Sequence, residues 1–130
     1  MIQTNHFDCM GTSFHVEAEN VKDLEDWFKG VEQRYSRFLR ESEVSKINEL
    51  DPSEKWIGIS NEFYHLLKAA SLYHERTGSL FNPYLGKQIK SLGYNRSFHE
   101  VNGEEVTTHT PSFQRKGILI HPRLPEIKKL

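Results

Sequence analysis

Residues 60–83 read SNEFYHLLKAASLYHERTGSLFNP, and this stretch decides the fold. Its apolar residues recur at helical spacing, which predicts an amphipathic helix over 61–76 that buries one face. Ser60 is a typical N-cap, and Gly78 suits the left-handed position that ends many helices. Directly after the helix comes the motif TGSLFNP, residues 77–83, the most distinctive short sequence in this half of the chain.

The residues before this stretch predict a strand followed by two helices. Polar and apolar residues alternate over 7–18, which indicates one strand, with Gly11 marking a bulge or a close approach of backbone. A helical apolar stripe then runs over 21–37, and we expect Asn20 to cap it. Ser42 precedes a second, short helical stretch.

The residues that follow are less regular. They predict a short strand over 55–59, a helix over 83–92 with the proline as its first residue, a hairpin turn at Asn102-Gly103 and a final strand over 117–121. No terminating element is recognisable in 128–130. The whole pattern predicts an α+β fold, with two or three helices packed on one face of a mainly antiparallel sheet.

Composition excludes several classes of protein. A chain of 130 residues corresponds to one small domain or a piece of a larger one, and an apolar share of 36 % with 27 % charged residues is thin for a complete core. Seventeen basic and 18 acidic residues give a net charge of -1, so nothing favours nucleic acid as a partner. Cys9 is the only cysteine, which excludes an internal disulfide and a cysteine-based zinc site.

The start of the chain carries no recognisable targeting signal. It has no apolar run of membrane-spanning length, no signal peptide and no lipobox cysteine. We therefore expect a cytoplasmic protein as written, or a protein whose leader has been removed.

Seven histidines invite a search for a metal site. The chain has no HExxH motif and no pair of histidines one helical turn apart, so we expect isolated surface histidines. His121, before a proline, is a weaker candidate for a base than for an ordinary residue at a strand end. Motifs for a nucleophilic serine and for a glycine-rich phosphate loop are absent.

Three motifs remain, and their order and separation are informative. They read FDCMGT over 7–12, FLRESEVSKIN over 38–48 and TGSLFNP over 77–83. Together they resemble the amino-terminal half of the ApbE family, the FAD:protein FMN transferases. The resemblance covers nearly the whole chain, and the family's next block, DLGGIAKG, would begin just past Leu130. We therefore expect residues 1–130 to be the amino-terminal portion of an ApbE-like domain, an incomplete one.

The resemblance implies an activity and a set of ligands. Family members take FAD and Mg²⁺ and transfer FMN to a threonine or serine of an acceptor flavoprotein, releasing AMP. The metal ligands and catalytic groups of the family lie in its carboxy-terminal half, so we assign no catalytic and no metal-binding residue here. The isolated chain is expected to be inactive.

The resemblance also implies flavin contacts at five positions, which are Met10, Phe38, Leu80, Phe81 and Asn82. A thioether and an aromatic ring suit the flat isoalloxazine ring. For three of these residues packing is the alternative: a core anchor for Phe38, strand packing for Met10 and a core aromatic for Phe81. Asn82 stands where the family usually has Asp, so FAD binding is expected to be weaker if that carboxylate orients the ligand.

Two other functions stay open at this stage. The chain could be a non-catalytic module that binds or carries flavin, which would bind FAD at micromolar or tighter affinity. It could also be a structural or interaction module without a ligand, one that forms a homodimer to cover an apolar face. The partners implied by the main hypothesis are FAD and an acceptor flavoprotein.

Overall fold

The structure is a computed structural model that describes residues 1–93 and 116–130. It divides into two compact units, residues 1–49 and residues 50–93 with 116–130, and each is described by itself. Both combine helices with antiparallel strands, which confirms the α+β prediction, although the described strands form two sheets. The elements in chain order are β1 (Gln3–Cys9), β2 (Thr12–Ala18), α1 (Val21–Tyr35), α2 (Glu43–Asn48), β3 (Ile57–Gly58), α3 (Asn61–Arg76), α4 (Gly86–Ser91), β4 (Ile118–Ile120) and β5 (Glu126–Lys129).

The first unit begins with a β-hairpin. Strands β1 and β2 pair in antiparallel register with Cys9 opposite Thr12, so only Met10 and Gly11 form the turn. Both turn residues have positive φ, 53° and 71°, as a two-residue hairpin turn with right-handed strand twist requires. The prediction of a single strand over 7–18 is therefore wrong. Its glycine lies in a tight turn rather than at a bulge.

Helix α1 packs on this hairpin through aromatic side chains. Phe7 and Phe14 are cross-strand neighbours with ring centroids 5.6 Å apart, and the ring of Phe28 lies 4.7 Å from Phe14. The helix ends at Tyr35, two residues before the predicted end. Asn20 precedes it, but its side chain makes no capping hydrogen bond, so that part of the prediction is wrong. Its φ of -123° and ψ of 66° differ from the extended geometry of a capping residue.

The second unit contains a three-stranded antiparallel sheet with β5 in the centre. Ile127 pairs with Ile57 on one side and Ile120 on the other, and it is fully buried at 0 % exposure. Such cross-strand pairs of branched side chains stabilise a sheet. Strand β5 thus extends to Lys129, in the stretch where no terminating element is recognisable from the local sequence. The sequence EIKK of β5 hides this strand because only one of its four side chains is buried.

Helix α3 has the predicted bounds and the predicted cap. Ser60 Oγ accepts a hydrogen bond of 3.2 Å from the Phe63 amide. Phe63 and Tyr64 face the core, and the Tyr64 hydroxyl donates to the carbonyl of His121 at 2.7 Å. This bond ties the start of the helix to the end of β4.

The remaining elements are shorter than predicted. The strand expected over 55–59 contains only Ile57–Gly58, and the final strand is Ile118–Ile120. Helix α4 begins at Gly86, so Pro83 belongs to a preceding turn rather than to the helix. The predicted turn at 102–103 lies outside the described residues. Within the described part of the chain, no helix is long and apolar enough to cross a bilayer.

Candidate functional site

The turn that carries Met10 is held from α1. The Met10 amide donates to the Glu32 carboxylate, and the Cys9 thiol makes a second hydrogen bond to the same side chain. Burial of Cys9, and then the bond and the negative charge of Glu32, raise the pKa of the thiol. The Met10 side chain itself is 44 % exposed. A non-glycine residue at positive φ costs about 1 kcal/mol or more, so this turn holds an exposed methionine in a strained conformation.

Phe38 lies on the loop between α1 and α2. Its ring is 44 % exposed, and the guanidinium carbon of Arg37 lies 4.3 Å from the ring centroid. Partial burial lowers the pKa of Arg37. A guanidinium over the ring at this distance makes a cation–π contact with the ring face that it covers.

Two serines of the second motif hold this loop. Ser42 Oγ donates to the Ser36 carbonyl at 2.5 Å and accepts from the Ser45 amide at 3.1 Å, which makes Ser42 the N-cap of α2. Ser45 Oγ donates to the carbonyls of Ser36 and Arg37 at 3.4 and 3.3 Å. Ser42 is 0 % exposed. These two serines of the motif therefore fix the backbone carbonyls of Ser36 and Arg37, the two residues that precede Phe38.

The third motif begins with a Schellman end to α3. The Ser79 amide donates to the His74 carbonyl at 2.9 Å, and the Gly78 amide donates to the Glu75 carbonyl at 3.1 Å. Gly78 has φ 58°, as predicted for the residue that ends this helix. Ser79 also has positive φ, 69°, which is uncommon for a residue with a side chain.

The Thr77 hydroxyl makes two further hydrogen bonds within this turn. Its hydroxyl donates to the Tyr73 carbonyl at 2.7 Å and accepts from the Phe81 amide at 3.0 Å. The backbone of the motif is thus tied to the last turn of α3. The two apolar side chains that it carries stay exposed, Leu80 at 91 % and Phe81 at 47 %.

Asn82 forms a local turn of its own. Its side-chain oxygen accepts from the Tyr84 amide at 2.9 Å. The Tyr84 ring lies edge-on to His74 at 5.4 Å, and a Cβ added at Gly117 would lie 3.5 Å from it. An Asp oxygen could accept the same bond. The amide therefore preserves the shape of the turn, but it removes the negative charge and adds an N–H donor.

The five predicted contact residues are divided between the two units. Met10 and Phe38 belong to the first, and Leu80, Phe81 and Asn82 share one turn of the second. Met10, Phe38 and Phe81 are 44, 44 and 47 % exposed. Their contact with flavin stays a prediction. Glu32 has no place in any motif, and only the three-dimensional structure connects it to the Met10 turn.

The histidines need one correction. His6 and His15, expected to be isolated, are neighbours across the hairpin. The ring nitrogen of His121 accepts from the amides of Arg123 and Leu124, so this residue shapes the turn after β4. Within residues 1–93 and 116–130, no group of three or more His, Cys, Asp or Glu side chains could hold a metal ion.

Comparison with known proteins agrees with this architecture. The family model of the ApbE family matches residues 10–124. The chain belongs to the ApbE family. No curated protein matches it significantly. The ApbE fold of the chain is similar to that of the ApbE protein from Thermotoga maritima, with a TM-score of 0.74 and 19 % identity.

Two further structures resemble the chain. They are the flavinyl transferase ApbE of Pseudomonas stutzeri in its apo form, with a TM-score of 0.73 and 16 % identity, and the flavin transferase ApbE of Vibrio cholerae, with 0.66 and 13 %. All three matches cover 99 % of this chain but only 45 to 46 % of the other. The chain therefore spans less than half the length of the ApbE structures it matches.

Proposed function

We propose that this chain is the flavin-contacting portion of an FAD:protein FMN transferase, which moves FMN from FAD to a threonine or serine of a flavoprotein. The observation that carries the proposal is the exposure of Met10, Phe38, Leu80 and Phe81, between 44 and 91 %, in a chain of the ApbE family. In this proposal the four side chains and Asn82 contact FAD.

The proposed contact residues lie on three turns, those of Met10, of Phe38 and of residues 77–83, whose backbones are fixed before any ligand binds. Each turn is held by side-chain hydrogen bonds. The Met10 amide donates to Glu32, and the Phe81 amide donates to Thr77. Ser42 and Ser45 donate to the backbone carbonyls before Phe38. Because the backbone of each turn is already fixed, ligand binding does not have to order the loop as well as the side chain. Stacking of Phe38 on an isoalloxazine ring would contribute about 1 kcal/mol beyond burial, and a methionine sulfur on the ring about 0.3–1.5 kcal/mol.

The proposed reaction is a displacement at phosphorus. The acceptor hydroxyl forms a bond to the FMN phosphorus of FAD, the bond to the bridging pyrophosphate oxygen breaks, and AMP leaves with that oxygen. The hydroxyl proton passes to a base. By the resemblance, the groups that hold Mg²⁺ and carry out catalysis belong to the carboxy-terminal half of family members, so we propose no catalytic residue, no metal ligand and no step through the metal for this chain.

An FAD titration followed by flavin fluorescence tests the contacts. We expect weak binding by the isolated chain, reduced about fivefold or more by Phe38→Ala, because about 1 kcal/mol of stacking is lost. Trp27→Ala is the matched control, since this aromatic is 61 % exposed and lies outside the three motifs. Equal losses in the two variants would contradict the proposed contact.

A transfer assay tests the activity. Incubation of the chain with FAD, Mg²⁺ and an acceptor flavoprotein is expected to give no flavinylated acceptor. Transfer by the chain alone would show that catalytic groups lie within it and overturn their assignment elsewhere. Micromolar or tighter FAD affinity without transfer would favour the non-catalytic flavin module.

A further inference from the structure

The outer face of the β1–β2 hairpin carries two adjacent histidines. His6 and His15 are directly opposite each other in the register, and their ring centroids lie 4.3 Å apart. Counted from the two-residue turn, this pair occupies a position without backbone hydrogen bonds, where opposite side chains come closest. Both rings are exposed to solvent.

The spacing of the ring nitrogens matches that of two ligands on one metal ion. His15 Nδ1 lies 3.3 Å from His6 Nδ1 and 2.9 Å from His6 Nε2. Zinc binds imidazole nitrogen at about 2.0–2.1 Å, so two nitrogens at tetrahedral positions are about 3.3 Å apart. Because His15 Nδ1 lies close to both nitrogens of His6, it sits against the face of that ring. The His6 ring must therefore rotate about its side-chain bonds to point a lone pair at a cation shared with His15.

Glu17 orients one of the rings. His15 Nε2 lies 3.2 Å from Glu17 Oε1, on the next outward pair of the hairpin. When this nitrogen donates to the carboxylate, Nδ1 keeps its lone pair and points it toward His6. Carboxylates that fix the tautomer in this way are characteristic partners of metal-binding histidines.

A surface cavity lies at the same place. Its volume is about 390 Å³, and it is lined by His6, Phe7, Asp8, Ser13, Phe14 and His15. The aspartate accepts a hydrogen bond of 2.6 Å from the serine hydroxyl, so a carboxylate stands on the rim. The cavity has room for the water molecules of a partly hydrated cation.

We propose that His6 and His15, the second of them oriented by Glu17, form a surface chelate for a late first-row divalent cation such as Zn²⁺, Cu²⁺ or Ni²⁺. Imidazole nitrogen suits these ions, whereas Mg²⁺ prefers oxygen, so this chelate is separate from the magnesium chemistry of the family. No third protein ligand completes a cluster among the described residues. The ion therefore has two protein nitrogens, with water in its other positions.

Calorimetric titration of the EDTA-treated chain with ZnCl₂ tests the chelate. We expect saturable binding that weakens at least tenfold in His6→Ala and in His15→Ala. Glu17→Ala should weaken it about tenfold, the usual cost of losing an orienting partner. His65→Ala, which removes an exposed histidine of α3, is the matched control and should bind like the parent chain.

A second readout places the ion. Substoichiometric Cu²⁺ should broaden the NMR signals of His6 and His15 before those of any other histidine. In the His6→Ala and His15→Ala variants, unchanged Phe7 and Phe14 signals would show that the hairpin is intact. Equal zinc affinity in the parent and both hairpin variants, or a loss in His65→Ala as large as theirs, would overturn the proposal. So would the absence of saturable binding.

Discussion

Ser42→Ala should destabilise the first unit by about 2 kcal/mol. The substitution removes the N-cap bond to the Ser45 amide, which is worth about 1 kcal/mol. It also removes the 2.5 Å bond to the Ser36 carbonyl, worth about 1 kcal/mol net. That carbonyl still accepts from the Leu39 amide at 3.3 Å and from Ser45 Oγ at 3.4 Å, so the larger penalty for an unpaired buried group does not apply.

Urea unfolding followed by tryptophan fluorescence can measure this loss in one unit at a time. The chain has two tryptophans, Trp27 in the first unit and Trp56 in the second. A Trp56→Phe background leaves Trp27 as the reporter for Ser42→Ala. Ser60→Ala, in a Trp27→Phe background, is the reference for the loss of a helix cap and should cost about 1 kcal/mol.

Comparison of the two serine variants shows whether the hydrogen bond from Ser42 to the Ser36 carbonyl contributes to stability. If Ser42→Ala costs no more than Ser60→Ala, the bond between the Ser42 hydroxyl and the Ser36 carbonyl contributes nothing. The second motif would then be an ordinary capped helix, and the account of how the Phe38 loop is held would fail.

Three further predictions follow from the turns. Gly78→Ala should destabilise the chain by about 1 kcal/mol because φ at this residue is 58°, whereas Gly30→Ala, inside α1, should stabilise it by a similar amount. An added Cβ meets nothing within 4 Å at either position, so only the backbone conformation differs. Melting temperatures that shift in the same direction for both variants would refute this reasoning. Thr77→Val should cost about 1–2 kcal/mol in chemical unfolding and Thr77→Ser much less, because only the hydroxyl makes the two bonds; equal costs would refute it. The pKa of Cys9 is raised above 9.0 by burial and by Glu32, so the folded state holds this proton more tightly, and stability should fall as the pH rises above about 9 through the folded pKa. Cys9→Ser should lack that part of the fall, and an unchanged pH profile would contradict it.

Much of the fold follows from local sequence signals. Helix α3 has a capping serine, an apolar stripe and a terminal glycine, so its bounds could be predicted to the residue. The hairpin could not, because its turn begins with Met10, and methionine is not one of the residues that favour positive φ. The local pattern does not predict strand β5, because its lysines and glutamate conceal a single buried isoleucine.

The candidate site likewise has some features that local sequence predicts and others that it does not. Family motifs identify the exposed residues, since these lie inside short, recognisable sequences. The groups that hold them are harder to find. Glu32 reaches the Met10 amide across 22 positions in sequence, and His6 and His15 become neighbours only once the hairpin register is known. Contacts of this kind have no local pattern to predict them.

An NMR titration with FAD tests the central claim most directly. The methyl signals of Met10 and Leu80 and the ring signals of Phe38 are the probes, at FAD concentrations up to millimolar so that weak binding is seen. Met1 and Leu66 are internal controls, because they are exposed at 101 % and 49 % and lie outside the motifs. We predict ring-current shifts at the three probes and none at the controls. Shifts at Met10 no larger than those at Met1 would contradict the assignment of these turns to flavin.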